Sequence, residues 1–127
     1  MPSGGETGSS GSDRQVLDVF HRKTCGSCWN NRRGWAENAA DLGTWFGVQC
    51  SLPQSTEREG RVVVLTMTED ELTGNGLEGT IPAELGHLGS LVKLDLRVNN
   101  LSGRIPPELG QLVALEILWL ARNELDG

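Results

Sequence analysis

Apolar positions recur with a fixed spacing along the second half of the chain. Leu91, Leu94, Leu96, Asn99, Leu101 and Gly103 return 24 positions later as Leu115, Leu118, Leu120, Asn123, Leu125 and Gly127. Counting backwards by the same 24 residues, Asn99, Leu101, Gly103, Ile105, Pro106, Leu109, Gly110 and Leu112 fall on Asn75, Leu77, Gly79, Ile81, Pro82, Leu85, Gly86 and Leu88. A unit repeated at that period cannot bury its apolar face alone, so it stacks on its neighbours as a solenoid. Within the unit, the alternation Leu94-x-Leu96 and Leu118-x-Leu120 predicts short strands whose leucines point inward. The following Asn99 and Asn123 can satisfy backbone groups left over where the chain bends away, forming a ladder. Gly79, Gly103 and Gly127 suit bends with unusual backbone angles. Pro82 and Pro106 lack an N–H, which predicts an extended segment there rather than a continued sheet. The stretches 83–88 and 107–112 then turn back.

The assembled unit, LxxLxLxxNxLxGxIPxxLGxL, resembles the leucine-rich repeat family, in the plant-type subclass that carries the Gly-x-Ile-Pro segment seen at Gly79–Pro82 and Gly103–Pro106. The resemblance implies an α/β leucine-rich repeat solenoid with a helical N-terminal cap. The division it suggests is a disordered tail at 1–12, a cap at 13–60 and about three repeats at 61–127, the last one truncated.

One repeat departs from the period. Val63-x-Leu65-x-Met67 reads as the first repeat strand, yet Leu65 precedes Leu94 by 29 residues, which is 24 plus 5. Asp70–Gly74 and Asn75–Gly79 imitate each other, so either Asp70 or Asn75 can fill the first ladder position, Asn75 being preferred. The additional residues are expected to bulge at one rim, which a solenoid tolerates because each repeat touches only its neighbours.

Upstream, residues 1–12 are rich in Gly and Ser and hold no apolar cluster, so ordering entropy is not offset there. Ser12 and Gln15 read as a capping box ahead of a short helix running to about Lys23, with Val16, Leu17 and Phe20 on one face. An open solenoid end needs a lid, and Trp29, Trp35, Trp45 and Phe46 supply its apolar area. The lid is similar to the N-terminal domain of plant-type repeat proteins through Trp45-Phe46-Gly47-Val48-Gln49-Cys50. In many secreted relatives a cysteine two residues before that Trp closes a disulfide. Gly43 stands at that position, so the usual bridge cannot form.

Three cysteines remain, Cys25, Cys28 and Cys50. The polar amino terminus shows no signal segment, which predicts a cytoplasmic protein with reduced thiols. The alternative is a secreted or membrane-associated protein whose start codon is misassigned, in which Cys25 or Cys28 pairs with Cys50. Small buried or idle thiols are the plain reading. Two sharper ones are a Cys-x-x-Cys redox pair at Cys25 and Cys28, and a structural zinc site built from His21, Cys25, Cys28 and Cys50.

No catalytic signature is visible: there is no P-loop, no Gly-x-Ser-x-Gly elbow, and the histidines number two, His21 and His87. No cofactor is expected. A net charge of −6 argues against nucleic acid as the main partner, and no membrane-spanning segment is visible.

Function is therefore expected on the concave strand face, without catalysis, with a protein or peptide as ligand. Its outward positions are Lys93, Asp95, Arg97 and Val98, then Ile117, Trp119, Ala121 and Arg122, with Val64, Thr66, Thr68 and Glu69 as first-strand equivalents. The candidate contacts are Lys93, Asp95, Arg97, Ile117, Trp119 and Arg122. Trp119 near arginine has the composition of a binding hot spot, against the plainer reading that it covers neighbouring aliphatics. Similar caps and repeats precede kinase domains in plant-type receptors and GTPase domains in Roco-type proteins, so a sensor segment of a larger protein is the competing reading. Self-association through the open last repeat is a third.

Overall fold

The computed structural model describes residues 10–38, 41–51, 60–70 and 72–126, with side chains from residue 13 onward. Of the tail expected at 1–12, residues 1–9 lie outside the described residues, as do the Ser12 capping contact and the Gly127 bend, while residues 10–12 already belong to the first helix. The chain runs from a helix, α1 (Ser10–Lys23), into an irregular aromatic segment and a short strand, β1 (Val48–Cys50). The repeats follow with β2 (Val62–Thr66), β3 (Glu78–Thr80), β4 (Lys93–Asp95), β5 (Asn100–Gly103), β6 (Ile117–Trp119) and β7 (Glu124–Leu125).

The strands form two sheets, in the orders β1-β2-β4-β6 and β3-β5-β7. In the first, β2, β4 and β6 are parallel, with Leu65, Leu94 and Leu118 in register, and β1 caps the edge by pairing antiparallel with β2. This is the register implied by the repeat, and Leu65, Leu94 and Leu96 are fully buried. Val62 is also fully buried, one position before the alternation set by Val63, because the β1–β2 pairing carries an irregularity at Gln49/Cys50.

The second sheet differs from the extended segments that the prolines predict. Glu78–Thr80 and Asn100–Gly103 pair in parallel just before the Ile-Pro dipeptides, and Glu124–Leu125 joins them as the third strand. The prolines thus end strands rather than prevent them. Gly79 and Gly103 sit at φ 92° and 78°, and a side chain at Gly79 would meet the Lys23 carbonyl oxygen where α1 ends. The return segments are single 3₁₀ turns, Ala83–His87 and Pro107–Gln111, and Leu85, Leu88, Leu109 and Leu112 on them close the core.

The asparagine ladder runs through Asn75, Asn99 and Asn123. Asn99 accepts from the backbone N–H groups of Asn75 and Leu77 and donates to the carbonyls of Met67, Leu96 and Arg97. Asn75 exchanges bonds with both backbone groups of Asn31, tying the first repeat to the cap. Asp70 instead turns the inserted rim loop, accepting from Leu72 and Thr73 N–H while Thr68 bridges to Gly74. That loop covers Thr68, which was expected to face outward and is buried.

In the cap, Val16, Leu17 and Phe20 face inward from α1. Trp29, Trp35 and Trp45 pack in series with ring centroids 4.8 and 4.9 Å apart. Each of two indole N–H groups finds a carbonyl, Trp29 that of Thr24 and Trp35 that of Phe46, so the rings are buried without orphaned donors. The fully buried Asp13 accepts from Arg61 at 2.9 and 3.0 Å and from the Val62 N–H, locking the helix to the first repeat strand.

Candidate protein-binding face

Stacking β2, β4 and β6 brings Thr66, Asp95 and Trp119 into one column and Val64, Lys93 and Ile117 into the next. Trp119 is 41% exposed, one of the large apolar side chains left at the surface. Two cations lie over its ring: the Arg97 guanidinium at 4.2 Å and the Lys93 ammonium at 4.8 Å from the centroid. Such stacking is worth about 0.5–1 kcal/mol each at exposed sites and holds the long side chains against the indole. The sheet backbone fixes the ring's position, since Leu96 N–H donates to the Trp119 carbonyl at 2.9 Å.

Asp95 was expected to face a ligand. It is buried, and both of its oxygens accept from Arg97, at 2.9 Å each. The Arg97 N–H also donates to it. Asp95 therefore holds the guanidinium flat for Trp119 rather than presenting its own charge. The strand pattern could not reveal this, because the covering group comes from the position two residues along the same strand face. Ile117 is half-buried beside Lys93 in register. Arg122 lies beyond β6 in a left-handed bend, at φ 60°, equivalent to Val98 at 59°, and is exposed outside the Trp119 cluster.

A second constellation sits on the opposite side, where α1 ends against β3. Cys25 and Cys28 are joined in a disulfide with Cα atoms 5.3 Å apart. This corrects the expectation of reduced thiols and of pairing with Cys50, which is half-buried on β1. The four residues weighed as a zinc site, His21, Cys25, Cys28 and Cys50, are not gathered either: among the described residues, the metal-capable cluster here is Cys25, Cys28 and Glu78. Glu78 gave no sequence signal, since it occupies a variable repeat position.

His21 borders the same depression. Its ring stacks on Trp35 and meets Trp29 edge-on, and its Nε2 is buried without a partner among the described residues. Burial, and then the nearby Arg32 cation, lower its pKa below 6.5, opposed by Asp18. A lowered folded-state pKa means that the unfolded chain takes up the proton first as acid is added. Stability present above pH 6.5 is thus lost as pH falls through the folded value. The melting temperature of wild type should drop from pH 7.5 toward pH 5 more than that of His21→Phe; parallel curves would refute this role for His21.

These features define a capped leucine-rich repeat solenoid whose open strand face carries an aromatic and basic cluster. The chain carries the repeat and the fold of the plant-type leucine-rich repeat proteins. The Leucine Rich Repeat family model matches residues 90–112. The BIR2 ectodomain from Arabidopsis thaliana is 34% identical, with a TM-score of 0.70, over 89% of this chain and 56% of that one. The leucine-rich repeat ectodomain of the receptor kinase SOBIR1 from Arabidopsis thaliana is 26% identical, with a TM-score of 0.67, over 90% of this chain and 55% of that one. A chain of the BIR3–SERK2 complex from the same plant is 26% identical, with a TM-score of 0.57, over 85% and 57%. The chain thus spans little more than half the length of these three structures. No curated protein sequence matches it.

The expected cytoplasmic location is corrected by these matches. Two of the solved structures it resembles are ectodomains, one of them of a receptor kinase, and they point to an extracellular or membrane-associated setting instead. Among the described residues no helix is long and apolar enough to cross a membrane.

Proposed function

We propose that this chain is a non-catalytic binding module that holds a protein or peptide on its concave face, with Trp119 as the anchor. The observation that carries the proposal is the exposed indole held between Lys93 and Arg97, with Arg97 itself fixed by the buried Asp95. An aromatic anchor with preorganised cations loses little side-chain freedom on binding, which is what distinguishes a hot spot from an incidental apolar residue. The BIR3–SERK2 complex shows that a related solenoid meets a protein partner.

The test begins by selecting peptides from a random library on the immobilised chain. Trp119→Ala should weaken the selected peptides by about 2 kcal/mol, on the order of 30-fold in Kd, with an unchanged melting temperature. Selected peptides that bind the variant as tightly as wild type would remove Trp119 from the site.

A second reading, that the chain is the sensor segment of a receptor-like kinase, is favoured by the match to the SOBIR1 ectodomain. Sequencing the reading frame downstream of Gly127 tests it: a membrane span followed by a kinase domain supports it, and a stop codon excludes it.

A further inference from the structure

We propose that the Cys25–Cys28 disulfide masks a zinc site: once reduced, the two thiolates and the Glu78 carboxylate hold one Zn²⁺ between the cap and the first repeat. The ligand atoms of these residues already lie within 4.8 Å of one another. Two cysteines separated by two residues, with Cα atoms 5.3 Å apart, suit a covalent bridge, and the same spacing suits two thiolates on one tetrahedral ion. Sulfur ligands joined by a carboxylate favour zinc over magnesium or calcium, which prefer all-oxygen shells.

The backbone sets the third ligand in place. Glu78 begins β3, and its N–H donates to the Thr24 carbonyl at 3.1 Å, so the carboxylate is carried on a strand pinned beside the cysteine loop. On the neighbouring side Gly79 abuts the Lys23 carbonyl, an approach that a Cβ would block. Two thiolates and a carboxylate around a dication leave one net negative charge. Arg22 lines the same depression and can offset it, while Lys23 beside it is paired with Glu84 at 3.3 Å. A water completes the fourth position, as in open zinc sites.

The steps balance. A small dithiol delivers two electrons and two protons to the Cys25–Cys28 bond and closes into its own disulfide. Zinc then replaces both thiol protons, which leave to solvent. In the oxidised chain the sulfurs are bonded to each other and lack the charge to bind the ion.

The experiment uses the full chain, reduced with a phosphine that is then removed under argon, and titrated with Co²⁺ as a spectroscopic stand-in for Zn²⁺. One equivalent should bind with a thiolate-to-cobalt charge-transfer band that Zn²⁺ abolishes, whereas the oxidised chain should show no band. Cys28→Ser should lose the band. Glu78→Gln, an exposed change that leaves the fold intact by circular dichroism, should bind about tenfold or more weakly. Cys50→Ser should bind as wild type does. A reduced wild type without the band, a Glu78→Gln affinity equal to wild type, or loss of binding in Cys50→Ser would each overturn the proposal.

Discussion

Replacing Asn99 by Ala should destabilise the protein by about 4 kcal/mol in urea denaturation under non-reducing conditions, the largest effect of any ladder position. Its side chain is buried and serves five backbone groups, from Asn75, Leu77, Met67, Leu96 and Arg97. Each buried group left without a partner costs about 1–3 kcal/mol, and relaxation recovers part of that. Domains of this size are stable by only about 5–15 kcal/mol, so much of the margin would go. Asn99→Asp keeps the acceptor for Asn75 and Leu77 but sets an anionic oxygen against three carbonyls, and should be no better tolerated. Asn123→Ala should cost less, because Asn123 is half-exposed and water can replace it. Equal losses at 99 and 123 would show that the amide network is not what holds the array.

Asp13→Ala should cost about 3 kcal/mol and loosen the cap before the repeats. The carboxylate is fully buried and accepts three hydrogen bonds, two from Arg61 and one from the Val62 N–H. Breaking a buried pair costs about 3–5 kcal/mol because the survivor keeps an uncompensated charge. Arg61 is 29% exposed and can turn to water, which places Asp13→Ala at the lower end. Arg61→Ala leaves the charge on the buried side and should be the worse of the two. A double-mutant cycle checks this, and a coupling near zero would contradict it.

The periodic part of this architecture was legible in the residues. A repeat of 24 fixes which leucines face inward, and the columns Thr66–Asp95–Trp119 and Lys93–Ile117 follow from counting alone. Asn75 could be chosen over Asp70 because the rest of its unit, Leu77 through Leu88, stays in register with the next. The second sheet was missed since its strands hold at most one leucine, Leu101 in β5 and Leu125 in β7 with none in β3, too few to show an alternation. Asp95 was misjudged because a strand pattern reports direction, while its burial comes from Arg97 folding back over it. The cysteine bond depends on the left-handed turn at Cys25, at φ 57°, and local residue types did not single out that turn. The strand face proposed for binding was nameable in advance; the cation-flanked geometry of Trp119 was not.

The ladder also has a direction. Asn99 guards the amides of Asn75 and Leu77, which belong to the preceding repeat, and Asn123 guards that of Leu101 in the same sense. Asn75 does the same for Asn31 of the cap. Every coil is thus fastened by its successor, like roof tiles laid from one eave upward, each pinning the edge of the one before. A coil added at the carboxyl end therefore supplies an acceptor to the coil before it, as Asn123 does for Leu101, while its amide N–H groups tie its own bend.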